Sequence, residues 1–141
     1  MLRLAGTQAA ARRCGWSANT LAERIAPTIT RAAADAARPA PRILAGVTAV
    51  VNDDPDAARE RSATEQGIYG SLPAYRQMME AEGVGGPADL VIAGSEDHVA
   101  DGLRRYALAG ATDVRVTILA ADDDERHRTR ALLRDLDSAS R

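Results

Sequence analysis

The chain has 141 residues, the usual length of a single domain. Its net charge of −2 excludes a general nucleic-acid surface, because binding phosphates requires clustered positive charge. No apolar run approaches the roughly 20 residues that a membrane-spanning helix needs. We therefore expect a soluble protein with neither a nucleic-acid partner nor a membrane span.

Large apolar residues are scarce in this chain. Alanine contributes 30 residues, whereas Leu, Ile and Val together number 26 and Phe is absent. This is less aliphatic material than an ample core requires, although the low net charge argues against disorder. The single cysteine, Cys14, cannot form an internal disulfide. Together with the abundance of Ala and Arg and the lack of a secretory signal, this predicts a cytoplasmic bacterial protein.

The sequence of the first half of the chain predicts a helix followed by one clearly indicated strand. Residues 1–16 show no clear period, so an irregular start is expected. Apolar residues at helical spacing predict a helix over 17–38, which Pro27 should kink because proline has no N–H. The run 42–51 is almost continuously apolar, as in a parallel strand buried on both faces.

Helix-start signals follow that strand. Asp54 can cap a helix whose first position is Pro55, and the helix should reach about Tyr69. A further helix is expected from about Pro73 to Gly83. The short apolar run 90–93 is either a strand or a buried turn of helix.

The remainder repeats the order helix, strand, helix. Ser95 should cap a helix that ends at Gly110 and buries four residues, Val99, Leu103, Tyr106 and Ala107. A strand over 113–119 and a helix over 123–136 follow, with a polar tail at 137–141. Parallel strands joined by helical crossovers predict an α/β fold.

Two pairs of residues are candidates for ligand binding. Asn52 and Asp53 follow the carboxyl end of the best strand, where α/β proteins bind ligands, although helix capping alone would also explain them. Tyr75 and Arg76 lie in the densest cluster of aromatic and cationic groups. They could contact a ring or an anionic tail, or they could pack one helix against another.

Other polar clusters predict no site. The acidic run 122–125 beside His127 fits a solvated helix start better than a metal site, so no metal is expected. The glycine-rich segment 83–86 lacks the Lys and Ser/Thr of a phosphate loop, and His98 should be exposed in a first helical turn. No nucleophile and base are paired by spacing, so the catalytic residues stay unknown.

Several segments resemble one protein family in their order and spacing. They are MLRLAG at 1–6, TLAERIAPTI at 20–29, VVNDDPDAAR at 50–59, YGSLPAYR at 69–76, GSED at 94–97 and GATD at 110–113. The chain thus resembles the luciferase-like monooxygenase family, and within it the deazaflavin (coenzyme F-420)-dependent oxidoreductase branch.

The resemblance implies the C-terminal part of an incomplete (β/α)8 TIM-type barrel. The implied chemistry is hydride transfer or monooxygenation of a small-molecule substrate with coenzyme F-420 or FMN. Asn52 and Asp53 would lie at the catalytic rim, and Tyr75 and Arg76 would line the side of the substrate or cofactor tail. The segment 7–16, with its adjacent arginines, departs from the family pattern and suggests a frameshifted start.

The same resemblance leaves other functions open. Most of the family's active site would lie in the part of the barrel that has no counterpart here. The chain could then be a non-catalytic remnant that binds no cofactor, or a small α/β interaction module. Exposed strand edges would favour a homodimer, and the alanine-rich helices would give low stability to the chain alone.

Overall fold

Strands and helices alternate along the chain. The computed structural model describes residues 11–14, 17–71, 73, 79–80 and 83–139. The strands are β1 (Ala11–Cys14), β2 (Arg42–Val51), β3 (Ile92–Gly94) and β4 (Asp113–Ile118). The helices are α1 (Ala18–Thr20), α2 (Ala26–Asp35), α3 (Pro55–Ser71), α4 (Glu96–Leu108) and α5 (Asp123–Ala139), with a π-helical segment at Leu21–Ile25 and a 3₁₀ helix at Pro87–Leu90. The predicted α/β class is confirmed.

The other three strands all pair with β2. β1 pairs with it in parallel, with Ala11 opposite Arg42, and β3 pairs in parallel with its last residues. β4 also pairs with β2: the amide of Thr112 donates to the carbonyl of Ile43, and that of Leu119 to the carbonyl of Ala49. Residue numbers rise together in these two bonds, so β4 is parallel to β2 as well.

The chain divides into two compact units. The first comprises the described residues up to Gly46 together with Leu103–Arg115, and the second comprises Val47–Gly102 and the described residues from Val116 onward. In the first unit the buried apolar side chains come from the helical segment 21–33, the start of β2 and the end of α4. They are Leu21, Ile25, Ile29, Ala32, Ala33, Ile43, Ala45, Leu103, Tyr106 and Ala109.

Pro27 changes the helix that contains it. The segment before it is π-helical, and the amide of Ala26 donates to the carbonyl of Leu21, five residues back. Since Pro27 has no N–H, the normal α-helical ladder is broken one turn ahead of it. Where the sequence predicted a kink at Pro27, the structure shows a wider, π-helical turn ahead of it, and the side chains of Leu21, Ile25 and Ile29 are buried.

Helix ends in the first unit depend on left-handed residues. Gly110 has φ +98°, and the amide of Ala111 donates to the carbonyl of Tyr106, which confirms the predicted glycine terminator. Helix α2 ends at Asp35, three residues before the predicted boundary, because Ala37 adopts φ +52° and the amide of Arg38 bonds to the carbonyl of Ala33. An alanine in this conformation carries no sequence signal.

An ion pair joins the starts of β2 and β4. The guanidinium of Arg42 donates through Nε to Oδ2 of Asp113 at 3.0 Å and through Nη2 to Oδ1. The hydroxyl of Thr112 donates to the same carboxylate at 2.6 Å. Hydrogen bonds from Arg42, and then from Thr112, lower the pKa of Asp113 to about 2.

This pKa predicts a pH dependence of stability. Because the Asp113 carboxyl binds its proton less readily in the folded chain, its ion pair stabilises the fold above the ordinary pKa of 3.8, and the contribution is lost as pH falls towards about 2. The free energy of unfolding, measured with urea at a series of pH values, should therefore fall less over this range in Asp113→Asn than in the unsubstituted chain. Asp135→Asn, at an exposed position of α5, is the control. Equal slopes for all three proteins would contradict the pairing.

The second unit has its own apolar core. Val50, Ala58, Val91, Ala93 and Leu119 form one buried cluster, against which the partly buried Ala120 packs. Glycine permits a close approach beside it, because a Cβ at position 102 of α4 would lie 2.6 Å from Cγ2 of Ile92 in β3. Helix α4 therefore rests directly on β3.

A buried threonine completes the end of β2. The side chain of Thr129 is fully buried in α5, and its hydroxyl accepts a hydrogen bond from the amide of Val51 at 2.9 Å. The same hydroxyl donates to the carbonyl of Glu125 at 2.7 Å. It thus satisfies a strand amide that would otherwise be buried without a partner.

Loss of this hydroxyl should destabilise the second unit. Thr129→Val keeps the shape of the side chain and leaves the amide of Val51 unpaired, which costs about 1–3 kcal/mol. Urea unfolding measures the loss. Thr64→Val removes only a hydroxyl that donates to Glu60 within an exposed turn of α3, and should cost less than about 0.5 kcal/mol. Equal costs for the two variants would show that Thr129 does not hold β2.

Several expected boundaries differ from the structure. The expected irregular start is wrong for residues 11–14, because their backbone pairs in parallel with the start of β2 and forms β1. The run 90–93 proves to be a strand displaced to 92–94. Ala107 is exposed, and Ala109 is buried instead. Helix α5 continues to Ala139, through most of the expected tail.

Candidate functional site

The carboxyl end of β2 carries the first predicted pair. Asn52 is 2% exposed, and its amide donates to the carbonyl of Gly94 at 2.9 Å. Its side-chain Nδ2 donates to the carbonyl of Asp54 at 2.6 Å, while its Oδ1 is buried and accepts no hydrogen bond from the described part of the chain. Asp54, and not Asn52, caps α3, since its carboxylate accepts from the amide of Ala57 at 3.0 Å.

The carboxyl end of β3 lies beside it. Gly94 adopts φ +144°, a conformation that side chains rarely take, and a Cβ there would lie 3.4 Å from the ring of His98. Ser95 accepts a hydrogen bond from the amide of His98 at 3.3 Å and so caps α4 as predicted. This geometry holds the imidazole over the backbone of Gly94.

A cleft of about 400 Å³ lies at the carboxyl end of β3, beside the start of the helix that follows β2. Its lining comes from the start of α3, from β3 and from the first turn of α4: Pro55, Asp56, Arg59, Ala93, Gly94, Ser95 and His98. Nη1 of Arg59 lies 2.6 Å from Oδ1 of Asp56, and both side chains are largely exposed. The cleft therefore combines apolar surface with a guanidinium, an imidazole and a helix amino terminus.

A shared guanidinium joins the two loops that border the cleft. Arg128 of α5 donates through Nε to Glu96 at 2.9 Å and through Nη2 at 3.2 Å, and both of its terminal nitrogens lie 3.2 Å from Oδ1 of Asp53. The Arg128 side chain is 27% exposed. Its hydrogen bonds, with Glu96 first and Asp53 second, raise the pKa of Arg128, and the same contact lowers the pKa of Glu96.

The end of β4 has a similar attachment. The guanidinium of Arg61 donates to the carbonyl of Leu119 at 2.8 Å and lies 3.5 Å from Glu125. Glu125 accepts from the amide of Ala121, and Asp122 accepts from the amide of Glu125. The acidic run is thus a helix start, as predicted. Among the described residues, no group of three His, Cys, Asp or Glu could hold a metal ion.

The structure brings together only part of the predicted site. Asn52 and Asp53 lie at the carboxyl end of β2 as expected, but neither lines the cleft. The Asp53 side chain is exposed to solvent and ion-paired with Arg128. Tyr75 and Arg76 lie outside the described residues, so their predicted role stays a prediction. Sequence reasoning missed the contributions of Glu96 and Arg128, because each looks like one more charge on a solvated helix.

None of the helices in the described ranges is long and apolar enough to cross a membrane. No protein-family model matches the chain, and a search of curated proteins finds no match either.

Solved structures do match the chain. An F420-dependent secondary alcohol dehydrogenase in complex with an F420-acetone adduct aligns with a TM-score of 0.65 at 16% identity, over 87% of this chain and 41% of its own. The coenzyme F420-dependent tetrahydromethanopterin reductase of Methanopyrus kandleri aligns with a TM-score of 0.67 at 20% identity, over 91% of this chain and 44% of its own.

A third match uses a different cofactor. It is the oxygenating constituent of 3,6-diketocamphane monooxygenase from Pseudomonas putida, a type II Baeyer-Villiger monooxygenase in complex with FMN. It aligns with a TM-score of 0.56 at 17% identity, over 91% of this chain and 41% of its own. The chain thus spans about two fifths of the length of the structures it matches. The resemblance to luciferase-like, F-420-dependent oxidoreductases is confirmed in the fold.

Gly94 provides a direct test of the cleft geometry. Gly94→Ala places a side chain at φ +144° against the ring of His98, which should cost about 1–3 kcal/mol of unfolding free energy. Gly86→Ala is the matched control, because Gly86 has extended backbone with open space around its Cβ position. Chemical denaturation compares the two variants. Equal stability would mean that the end of β3 does not have this conformation.

Proposed function

We propose that this chain is the cofactor-binding C-terminal part of a deazaflavin- or flavin-dependent oxidoreductase of the luciferase-like type, an incomplete TIM-type barrel. The observation that carries the proposal is the cleft at the carboxyl ends of β2 and β3. Parallel α/β proteins bind ligands at this end of the sheet. The likeness of the fold to enzymes whose names specify F420 or FMN supports a ring of that class as the ligand.

The residues of the cleft fit one end of such a cofactor. A volume of about 400 Å³ lies within the range of small-molecule sites. Pro55, Ala93 and the bare backbone of Gly94 offer apolar contact to a flat ring. Ser95 stands at the amino terminus of α4, where an anionic group is favoured, and Arg59 of α3 lines the same cleft. A bound deazaflavin or flavin would supply hydride transfer, while these residues bind and orient it.

Asn52 is buried next to the end of β3 and does not line the cleft. Its buried Oδ1 lacks a hydrogen-bond donor within the described part of the chain, and an unpaired buried acceptor costs free energy. Its observed hydrogen bonds belong to the loop after β2, and contact of Asn52 with a ligand stays a prediction.

The residues of the cleft could by themselves bind the cofactor, which is one part of the proposed function. The matched enzymes extend well beyond the aligned region, so turnover of a small-molecule substrate would also draw on segments like theirs. A non-catalytic remnant or an interaction module would bind neither cofactor. Cytoplasmic location and a homodimer stay predictions.

Titration of the purified chain tests the proposal. Quenching of the fluorescence of FMN and of coenzyme F-420 should saturate with a micromolar dissociation constant. Arg59→Gln removes a charge-assisted donor from the cleft and should weaken binding about tenfold. Arg134→Gln, on the exposed face of α5, should leave binding unchanged. A folded chain that quenches neither cofactor would overturn the proposal.

A further inference from the structure

We propose that Arg128 is a positioning residue that fixes the separation of the two walls of the cleft. The inference rests on the proposed function in so far as the cleft binds a cofactor, but its structural part can be tested without one. Arg128 does not line the cleft. It acts through two carboxylates, one in each wall.

The two walls are short segments that follow neighbouring strands. One wall begins after β2 with Asp53 and continues into α3 with Pro55, Asp56 and Arg59. The other begins at the end of β3 and continues into α4, with Glu96 between Ser95 and His98. Each wall therefore carries one of the carboxylates within two or three residues of the side chains that line the cleft.

The guanidinium of Arg128 spans the two walls. It makes two parallel hydrogen bonds to Glu96, at 2.9 and 3.2 Å, and its terminal nitrogens are 3.2–3.3 Å from the Asp53 oxygens. A planar group with five fixed donors can serve two carboxylates at once. A lysine ammonium, a single point of charge, cannot hold both in the same geometry.

The backbone next to Arg128 is attached to the sheet. Thr129, the next residue of α5, is fully buried and bonds the amide of Val51 at the end of β2. The backbone that carries Arg128 is therefore fixed relative to the strand from which the Asp53 wall emerges. The guanidinium then transmits that fixed position to the Glu96 wall.

The charges of Asp53 and Glu96 make the separation of the two walls depend on Arg128. With Arg128 in place, one cation offsets two anions. Without it, Asp53 and Glu96 are left as like charges facing one another, and their repulsion favours separation of the walls. Neutralising both carboxylates should remove that repulsion, which distinguishes a bridge between charges from a general contribution to packing.

Hydrogen–deuterium exchange of the full chain tests the bridge without a ligand. Arg128→Ala should accelerate amide exchange in segments 52–59 and 94–99, while segment 42–51 keeps its protection. Arg128→Lys should recover only part of the protection, and Asp53→Asn combined with Glu96→Gln should abolish the difference between Arg and Ala at position 128. Arg134→Ala, which removes a side chain that donates to Arg130 within the helix, is the matched control.

The same variants connect the bridge to binding. If FMN binds the unsubstituted chain, Arg128→Ala should raise its dissociation constant about tenfold, because the two walls are no longer held at a fixed separation. Arg128→Lys should raise it less, because the ammonium still offsets the charge of the two carboxylates. Unchanged exchange in both segments, or equal acceleration throughout the chain, overturns the positioning role. Absence of FMN and F-420 binding by the unsubstituted chain overturns the proposed function alone, since the exchange result still decides the role of Arg128.

Discussion

The buried end of β2 is the constraint on which the candidate site depends. Ala49, Val50 and Val51 have no exposed surface, so their backbone polar groups must find partners within the protein. The carbonyl of Ala49 accepts a hydrogen bond from the amide of Leu119. The amide of Val51 donates to the hydroxyl of Thr129, and the next amide, of Asn52, donates to the carbonyl of Gly94. Three different elements are thereby brought to one strand end.

These hydrogen bonds determine where the polar side chains at the end of β2 lie. The bond from Asn52 to Gly94 sets the loop after β2 beside the loop after β3, and the cleft lies along both. The bond from Val51 to Thr129 brings α5 close enough for Arg128 to reach Asp53 and Glu96. An arrangement that would look like a surface ion pair is thus attached to the most buried part of the second unit.

Local chemistry made much of the fold predictable. The apolar run of β2, the cap and proline at the start of α3, and the glycine after α4 each have a mechanism that acts over a few residues. The left-handed Ala37 and the strand at 11–14 did not follow from such signals, since both depend on what the backbone pairs with. The same distinction applies to the candidate site. Asn52 and Asp53 could be placed from the strand that precedes them. The ion pair of Asp53 with Arg128 joins residues 75 positions apart, so no local sequence pattern indicates it.

We propose that a cofactor of the deazaflavin or flavin class binds at the carboxyl ends of β2 and β3. Two-dimensional ¹H–¹⁵N NMR during titration with FMN and with coenzyme F-420 tests it most directly, because it reports the place of binding as well as its occurrence. If the cofactor binds there, the largest chemical-shift changes should fall on the amides of 52–59 and 93–98, with little change at Arg42 and Asp113 at the other end of the strands. Changes centred on that opposite end, or none in a well-dispersed spectrum, would contradict it.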